Sequence, residues 1–305
     1  MEWLFLFGGF VGLFLGGEAL VRGAVGIAQR LSIPPLLIGL TVVGFGTSTP
    51  ELLVSVDAAL RGVPDIAIGN IVGSNIGNIL LIVGLTALVW PIRVTGATLR
   101  RDTAVMVAAA LILVPIFWIG QISRLSGLVL LGGLLVYLVR AYMHPGAQEG
   151  DQGRTPAMPL WRAGLWAVFG LAALIVGARF LVDGAVTIAR SYGLSEAFIG
   201  LTIVAVGTSL PELATSLIAA FRRQSEIAIG NIVGSNIFNV LGILGVTALI
   251  APIPVAGRFL TFDLPVMILV TLVLTGLLLM RPAIGRAAGV GLLLAYVVYV
   301  WAAQG

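Results

Sequence analysis

Gly46–Leu52 reads GTSTPEL and Ile66–Ile76 reads IAIGNIVGSNI; 161 residues later the chain returns to GTSLPEL at Gly207–Leu213 and to IAIGNIVGSNI at Ile227–Ile237. Gly46 to Thr95 aligns without a gap to Gly207 to Ala256, and 31 of those 50 positions are identical. Self-similarity at one fixed offset marks an internal duplication. The most similar stretches are polar, rich in Asn, Ser and Glu. Packing alone does not ask for such residues, so the repeat points to a function built from both copies.

Outside these motifs the chain is apolar. Of its 305 residues 59% are hydrophobic and 10% charged, with a mean hydropathy of +1.11. Soluble proteins are about 25% charged, and no soluble fold has a use for so little polar surface. The composition describes an integral membrane protein and excludes soluble enzymes, nucleic-acid binders and disordered chains. Cysteine is absent, the one histidine is His144, and all 17 basic residues are arginine. Forty glycines suit close helix packing or backbone used as a ligand.

A hydrocarbon core about 30 Å thick needs roughly 20 apolar residues per helix. The apolar runs predict an all-α membrane protein of ten spans, near 3–28, 36–60, 66–89, 103–119, 125–143, 161–189, 197–221, 227–250, 264–280 and 284–303. They are too long, and too uniformly apolar, for the strands of a membrane barrel. The polar stretch 144–160 reads as a linker between a first repeat, 1–143, and a second, 161–305. Five spans per half is an odd number, so the second repeat is expected to be inverted. Inverted halves are a recurrent plan of secondary transporters, with the site at mid-membrane between them. Eleven arginines, Arg93, Arg101, Arg140 and Arg222 among them, fall on one side of these spans and four on the other. The arginine-rich side stays in the cytoplasm, which places both termini outside. The opening MEWLFLF has no basic region or clear cleavage signal, so the first segment is expected to be a retained helix of a prokaryotic cell (inner) membrane.

Glu51 and Glu212 lie near the middle of apolar segments that hold no basic residue near their centres. A carboxylate at the bilayer centre costs at least about 2.5–3.5 kcal/mol, which makes it a functional candidate by default. Pro50 and Pro211 precede the two acids, with Gly46 and Gly207 one turn upstream, so both helices are expected to break there. Broken backbone is tolerated in a membrane where it lines a polar cavity, and the freed carbonyls can coordinate a cation. Ser74, Asn75 and Asn78 share one helical face, and Ser235, Asn236 and Asn239 repeat it. Of these, Ser74, Asn78, Ser235 and Asn239 are the better candidates for the cavity. Asn70 and Asn231 suit helix-to-helix bonding as well as ligation. With Thr47, Ser48, Thr208 and Ser209, the inventory is oxygen throughout. It suits a hard cation such as Ca²⁺, whereas zinc or copper would prefer His or Cys.

Duplicated GTSxPE and GNIVGSNI motifs across ten spans resemble the sodium/calcium exchanger branch of the cation/calcium antiporter superfamily, over essentially the whole chain. The resemblance implies a secondary antiporter with broken helices 2, 3, 7 and 8 around the site and helices 1 and 6 lying loosely across them. It implies that Glu51 and Glu212 hold Ca²⁺, helped by backbone carbonyls near Thr47 and Thr208. Ser48, Ser74, Asn78, Ser209, Ser235 and Asn239 would complete the Na⁺ positions. Some sodium-coupled relatives carry an aspartate where this chain has Asn239, so here the pocket holds two acids rather than three. Two carboxylates are neutralised by one Ca²⁺, by two Na⁺ or by two H⁺, and a loaded site near zero charge crosses hydrocarbon most cheaply. Charge therefore fits H⁺ exchange as well as Na⁺ exchange; the family motif favours Na⁺. No cofactor is implied beyond the transported ions, and the chain is expected to work as a monomer in the bilayer.

Two other readings carry less. An intramembrane enzyme needs a nucleophile or water activator with a partner, but Lys and Cys are absent and His144 lies in a loop. A channel filter ordinarily needs several subunits or an open pore. Three charged pairs stand four residues apart: Glu18 and Arg22, Arg179 and Asp183, Asp57 and Arg61. The first two correspond at the 161 offset with signs reversed, and are expected to pair within each helix or across the two. The third is expected to be a surface pair.

Overall fold

The computed structural model describes residues 2–93, 97–144, 158–192, 205–281 and 283–303. Most of the expected linker and the start of the seventh span, 193–204, lie outside the described residues. What is described is nearly all helix. In chain order the helices are α1 (Glu2–Leu31), α2 (Pro35–Thr47), α3 (Thr49–Leu60), α4 (Pro64–Val89), α5 (Ala97–Trp118) and α6 (Arg124–Met143). After the linker come α7 (Leu160–Ser191), α8 (Ala205–Thr208), α9 (Leu210–Phe221), α10 (Ser225–Ile250), α11 (Phe259–Met280) and α12 (Arg286–Ala302).

Seven of these helices are long and apolar enough to cross a membrane, and eight if α2 and α3 form one bent span. That is fewer than the ten expected. α12 is apolar but 17 residues long, short of the roughly 20 that a full crossing needs, and the start of the span expected over 197–221, which continues in α8 and α9, lies outside the described residues. Large apolar side chains such as Trp3, Phe7, Leu128, Leu135 and Trp301 point outward, as they do where lipid is the solvent. The centre belongs to α4 and α10, whose apolar windows are 72% and 83% buried against 28–44% for the other spans.

The expected breaks at the prolines are present. α2 and α3 meet at 43°, with Ser48 leaving helical geometry at φ −82°, ψ 9° and Pro50 in the first turn of α3. Ser209 repeats this at φ −88°, ψ 7°, with Pro211 opening α9. Neither proline has an N–H to offer the carbonyl four residues back, at Gly46 and Gly207. Within α4 and α10 the helix widens at Asn78–Ile82 and Phe238–Ile243 to bonds spanning five residues. Such wide turns occur often at functional sites, and no residue type in the motif announces them.

The halves are laced together reciprocally. Ile92, after α4, bridges to Ile284, before α12. Ile253, after α10, pairs with Ile122 in a two-residue antiparallel ladder of Gln121–Ile122 with Ile253–Pro254. Each half thus hydrogen-bonds the turn between the last two helices of the other. α1 and α7 pack backbone to backbone: a Cβ on Gly16 would sit 2.7 Å from the Leu174 nitrogen, and one on Gly177 2.7 Å from the Leu13 nitrogen.

The charged pairs of these two helices depart from expectation. Glu18 pairs with Arg222 at the end of α9, not with Arg22 or with α7. Arg22 instead lies over the Trp166 ring, 4.9 Å from its centroid. Arg179 and Asp183 are exposed and form no ion pair with each other. The spacing rule sees only neighbours on one helix, whereas α9 brings Arg222 alongside α1. Asp57 and Arg61 do pair at the surface, at 2.7 Å.

Candidate functional site

The two breaks aim their glutamates inward. Glu51 stands one residue past Pro50 in the first turn of α3, and Glu212 repeats it in α9. Both are 1% exposed and near enough for their charges to interact. Each is held by the serine at the other half's break. Ser48 Oγ donates to Glu212 Oε1 at 2.9 Å, and Ser209 Oγ donates to Glu51 Oε1 at 3.3 Å. Ser209 Oγ also lies 3.5 Å from Ser74 Oγ. Thr208 stands beside Glu51, and Thr47 and Ser235 stand beside Glu212. Ser235 itself donates to the Gly44 carbonyl at 3.3 Å.

Asn78 opens one widened turn, Asn239 is the second residue of the other, and both bond across the halves. Asn78 Nδ2 donates to Asn236 Oδ1 at 3.1 Å, and Asn239 Nδ2 donates to Asn75 Oδ1 at 3.0 Å. Their own oxygens are left over. Glu51 Oε2, Glu212 Oε2, Asn78 Oδ1 and Asn239 Oδ1 are all buried without a hydrogen-bond partner. A buried acceptor left unsatisfied costs about 1–3 kcal/mol, more when charged. These four stand in two pairs related by the 161 offset, and each is an oxygen of the kind a hard cation accepts as ligand. Among the described residues no group of three or more His, Cys, Asp or Glu side chains assembles; the acids of this cluster are Glu51 and Glu212.

The asparagines that the sequence left open act as ties. Asn70 Nδ2 donates to the Glu51 carbonyl at 3.0 Å and to Ser55 Oγ at 2.9 Å. Asn231 Nδ2 does the same to the Glu212 carbonyl, at 3.2 Å, and to Ser216 Oγ, at 3.0 Å. Each therefore fixes the helix that carries an acid. The Thr47 hydroxyl is likewise committed, to Asn231 Oδ1 and to the Val43 carbonyl, both at 3.1 Å.

Sequence reasoning missed two paired features outside the motifs. Asp102 and Asp263 are buried acids held by Arg101 at 2.9 Å and Arg258 at 3.2 Å. Met106 and Met267 place their sulfurs against Asn236 and Asn75. Both pairs stand 161 residues apart, so following the repeat past Thr95 would have found them.

The sites flank differently. A cavity of about 30 Å³ opens beside Ser74 and Ser209, with Gly77, Val206, Leu213 and Tyr296 in its lining. At the positions equivalent to Gly77 and Val206 stand Phe238 and Phe45, whose rings stack with centroids 3.9 Å apart.

A family model described as sodium/calcium exchanger protein matches residues 1–143 and 163–304. The chain belongs to the sodium/calcium exchanger family. Inner membrane protein YrbG of Escherichia coli is 39% identical over 96% of this chain and 94% of its own length. Sodium/calcium exchanger MaX1 of Methanosarcina acetivorans is 32% identical over 98% and 97%. A structure of the sodium-calcium exchanger NCX_Mj soaked with Na⁺ and Sr²⁺ superposes with a TM-score of 0.86 at 33% identity, covering 98% of this chain and 97% of that one. Membership of this exchanger family makes the protein an ion-transporting antiporter of the membrane rather than an enzyme.

Proposed function

We propose that the protein exports Ca²⁺ from the cytoplasm in exchange for Na⁺ by alternating access, at a site made by Glu51 and Glu212. In this reading ten segments cross the membrane as two inverted five-helix repeats, 1–143 and 161–305, joined by the linker 144–160. Both termini lie outside the cytoplasm of a prokaryotic inner membrane, and one chain is the working unit. The observation that carries the proposal is the set of four orphaned buried oxygens, Glu51 Oε2, Glu212 Oε2, Asn78 Oδ1 and Asn239 Oδ1. Ca²⁺ takes six to eight oxygens at about 2.3–2.6 Å. The carbonyls near Thr47 and Thr208 supply the balance, and Ser48, Ser74, Ser209 and Ser235 stand ready for Na⁺.

A second reading, Ca²⁺ exchange for H⁺ at the same two glutamates, is favoured by Asn239, which keeps the pocket at two acids. Two protons then replace one Ca²⁺ with no change of site charge, whereas a third Na⁺ would rest on neutral oxygens alone. Ca²⁺ uptake into inverted vesicles separates the readings. Uptake driven by an imposed Na⁺ gradient supports Na⁺ coupling; uptake that follows a pH gradient and ignores Na⁺ rejects it.

A further inference from the structure

An amide side chain has the same shape whichever way round it sits; only its hydrogen-bond partners decide whether oxygen or nitrogen faces a given direction. For Asn78 and Asn239 that choice decides whether the pocket gains a ligand or a repelling N–H. We infer that Asn75 and Asn236, which hold no cation themselves, are positioning residues that lock Asn239 and Asn78 with their oxygens turned to the ion; the inference deepens the cation-site reading and rests on it.

The lock can be followed atom by atom. Asn239 Nδ2 is taken by Asn75 Oδ1, so turning Asn239 over would set two carbonyl oxygens face to face. Asn75 cannot turn in compensation. Its own Nδ2 is held by the Asn236 backbone carbonyl at 3.3 Å and the Met267 sulfur at 3.7 Å, and neither group can donate a hydrogen bond. The mirrored chain runs from the Met106 sulfur, 3.8 Å from Asn236 Nδ2, through Asn236 Oδ1 to Asn78 Nδ2. Each chain thus begins at an acceptor-only thioether and ends at a buried oxygen that has no other partner. The links alternate between the halves: Met267, Asn75 and Asn239 form one chain, Met106, Asn236 and Asn78 the other.

The same lock bears on the charge of the pocket. A carboxylate at position 239 would meet Asn75 Oδ1 with no proton between them. Asn75 therefore disfavours an ionised acid at position 239.

The test is equilibrium binding of radioactive Ca²⁺ to the purified full-length protein in detergent, with thermal unfolding followed alongside. Asn75→Leu keeps the volume and removes the acceptor. It is expected to weaken Ca²⁺ binding at least about tenfold, the scale of one hydrogen bond to a charged site. Asn239→Asp is the discriminating partner, because a carboxylate has oxygen on both sides and needs no orienting. It should raise Ca²⁺ affinity at least about threefold more in the Asn75→Leu background than in the wild type, coupling of the kind expected between residues in one network. Equal factors in the two backgrounds would mean that Asn75 only holds helices together, and would overturn the assignment. Should Asn75→Leu not fold, Asn236→Leu takes the same acceptor from Asn78 and is expected to weaken Ca²⁺ binding about tenfold; unchanged affinity there also overturns it. Wild-type protein that binds no Ca²⁺ sinks the cation site and this inference together. Wild-type binding matched by Asn75→Leu sinks the inference alone.

Discussion

Gly77 and Val206 on one flank of the carboxylate pair, and Phe238 and Phe45 on the other, occupy equivalent positions in the repeat and do opposite things. The first pair lines a cavity of about 30 Å³ that touches Ser74 and Ser209. The second pair fills its flank with two stacked rings. The glutamates, serines and asparagines between them are identical in the two copies. Duplication has kept the polar groups at the centre and let their flanks diverge. A site can therefore be nearly symmetric in its ligands while one side of it is packed and the other has room.

The largest effect tests the symmetric part. Glu51→Gln or Glu212→Gln leaves one carboxylate to face a divalent ion, and vesicle Ca²⁺ transport should fall at least about a hundredfold with the protein still folded, since removing one partner of a buried charge interaction costs about 3–5 kcal/mol. Near-wild-type exchange by either variant would mean the acids are not the ligands. Next comes the asymmetric part. Gly77→Phe carries the ring of Phe238 into the cavity beside Ser74 and Ser209 and should slow transport at least about tenfold, equivalent to a barrier raised by roughly 1.4 kcal/mol. Transport at the normal rate would show that the cavity is no route to the site. Asn239→Asp breaks the equality of Asn78 and Asn239. It should keep Ca²⁺ binding within about tenfold, the scale of one pairwise charge interaction, while changing how Ca²⁺ uptake depends on Na⁺; an unaltered Na⁺ dependence counts against a coupling role. The smallest effect concerns a difference that should not matter. Asp57 has Ile218 as its counterpart, and Asp57→Ile should move stability by no more than about 0.5 kcal/mol, because its pair with Arg61 is exposed. A large loss of thermal stability would show that the pair does more than face solvent.

What could be read from residues alone divides along physical lines. Glu51 and Glu212 stood out because a carboxylate in an apolar run is costly wherever the run goes. Pro50 and Pro211 gave the breaks because a missing N–H acts locally. Helix positions followed from hydrophobicity, although α12 has 17 residues where its apolar run spans 284–303. Glu18 was matched to Arg22 because spacing is all that one helix can offer; its partner Arg222 is fixed by how α9 packs on α1. The amide orientations of Asn75 and Asn236 were out of reach for a deeper reason. They depend on sulfurs from α5 and α11 that lie far along the chain, and an amide's direction leaves no mark on composition or period.

The seam between α1 and α7 has one last consequence. Where Gly16 and Gly177 let main chain touch main chain, no side chain is available to change rotamer and absorb a slip. The two helices are therefore keyed to each other like a tongue in a groove, and a force applied to either, including through the strut from Glu18 to Arg222, is shared by both.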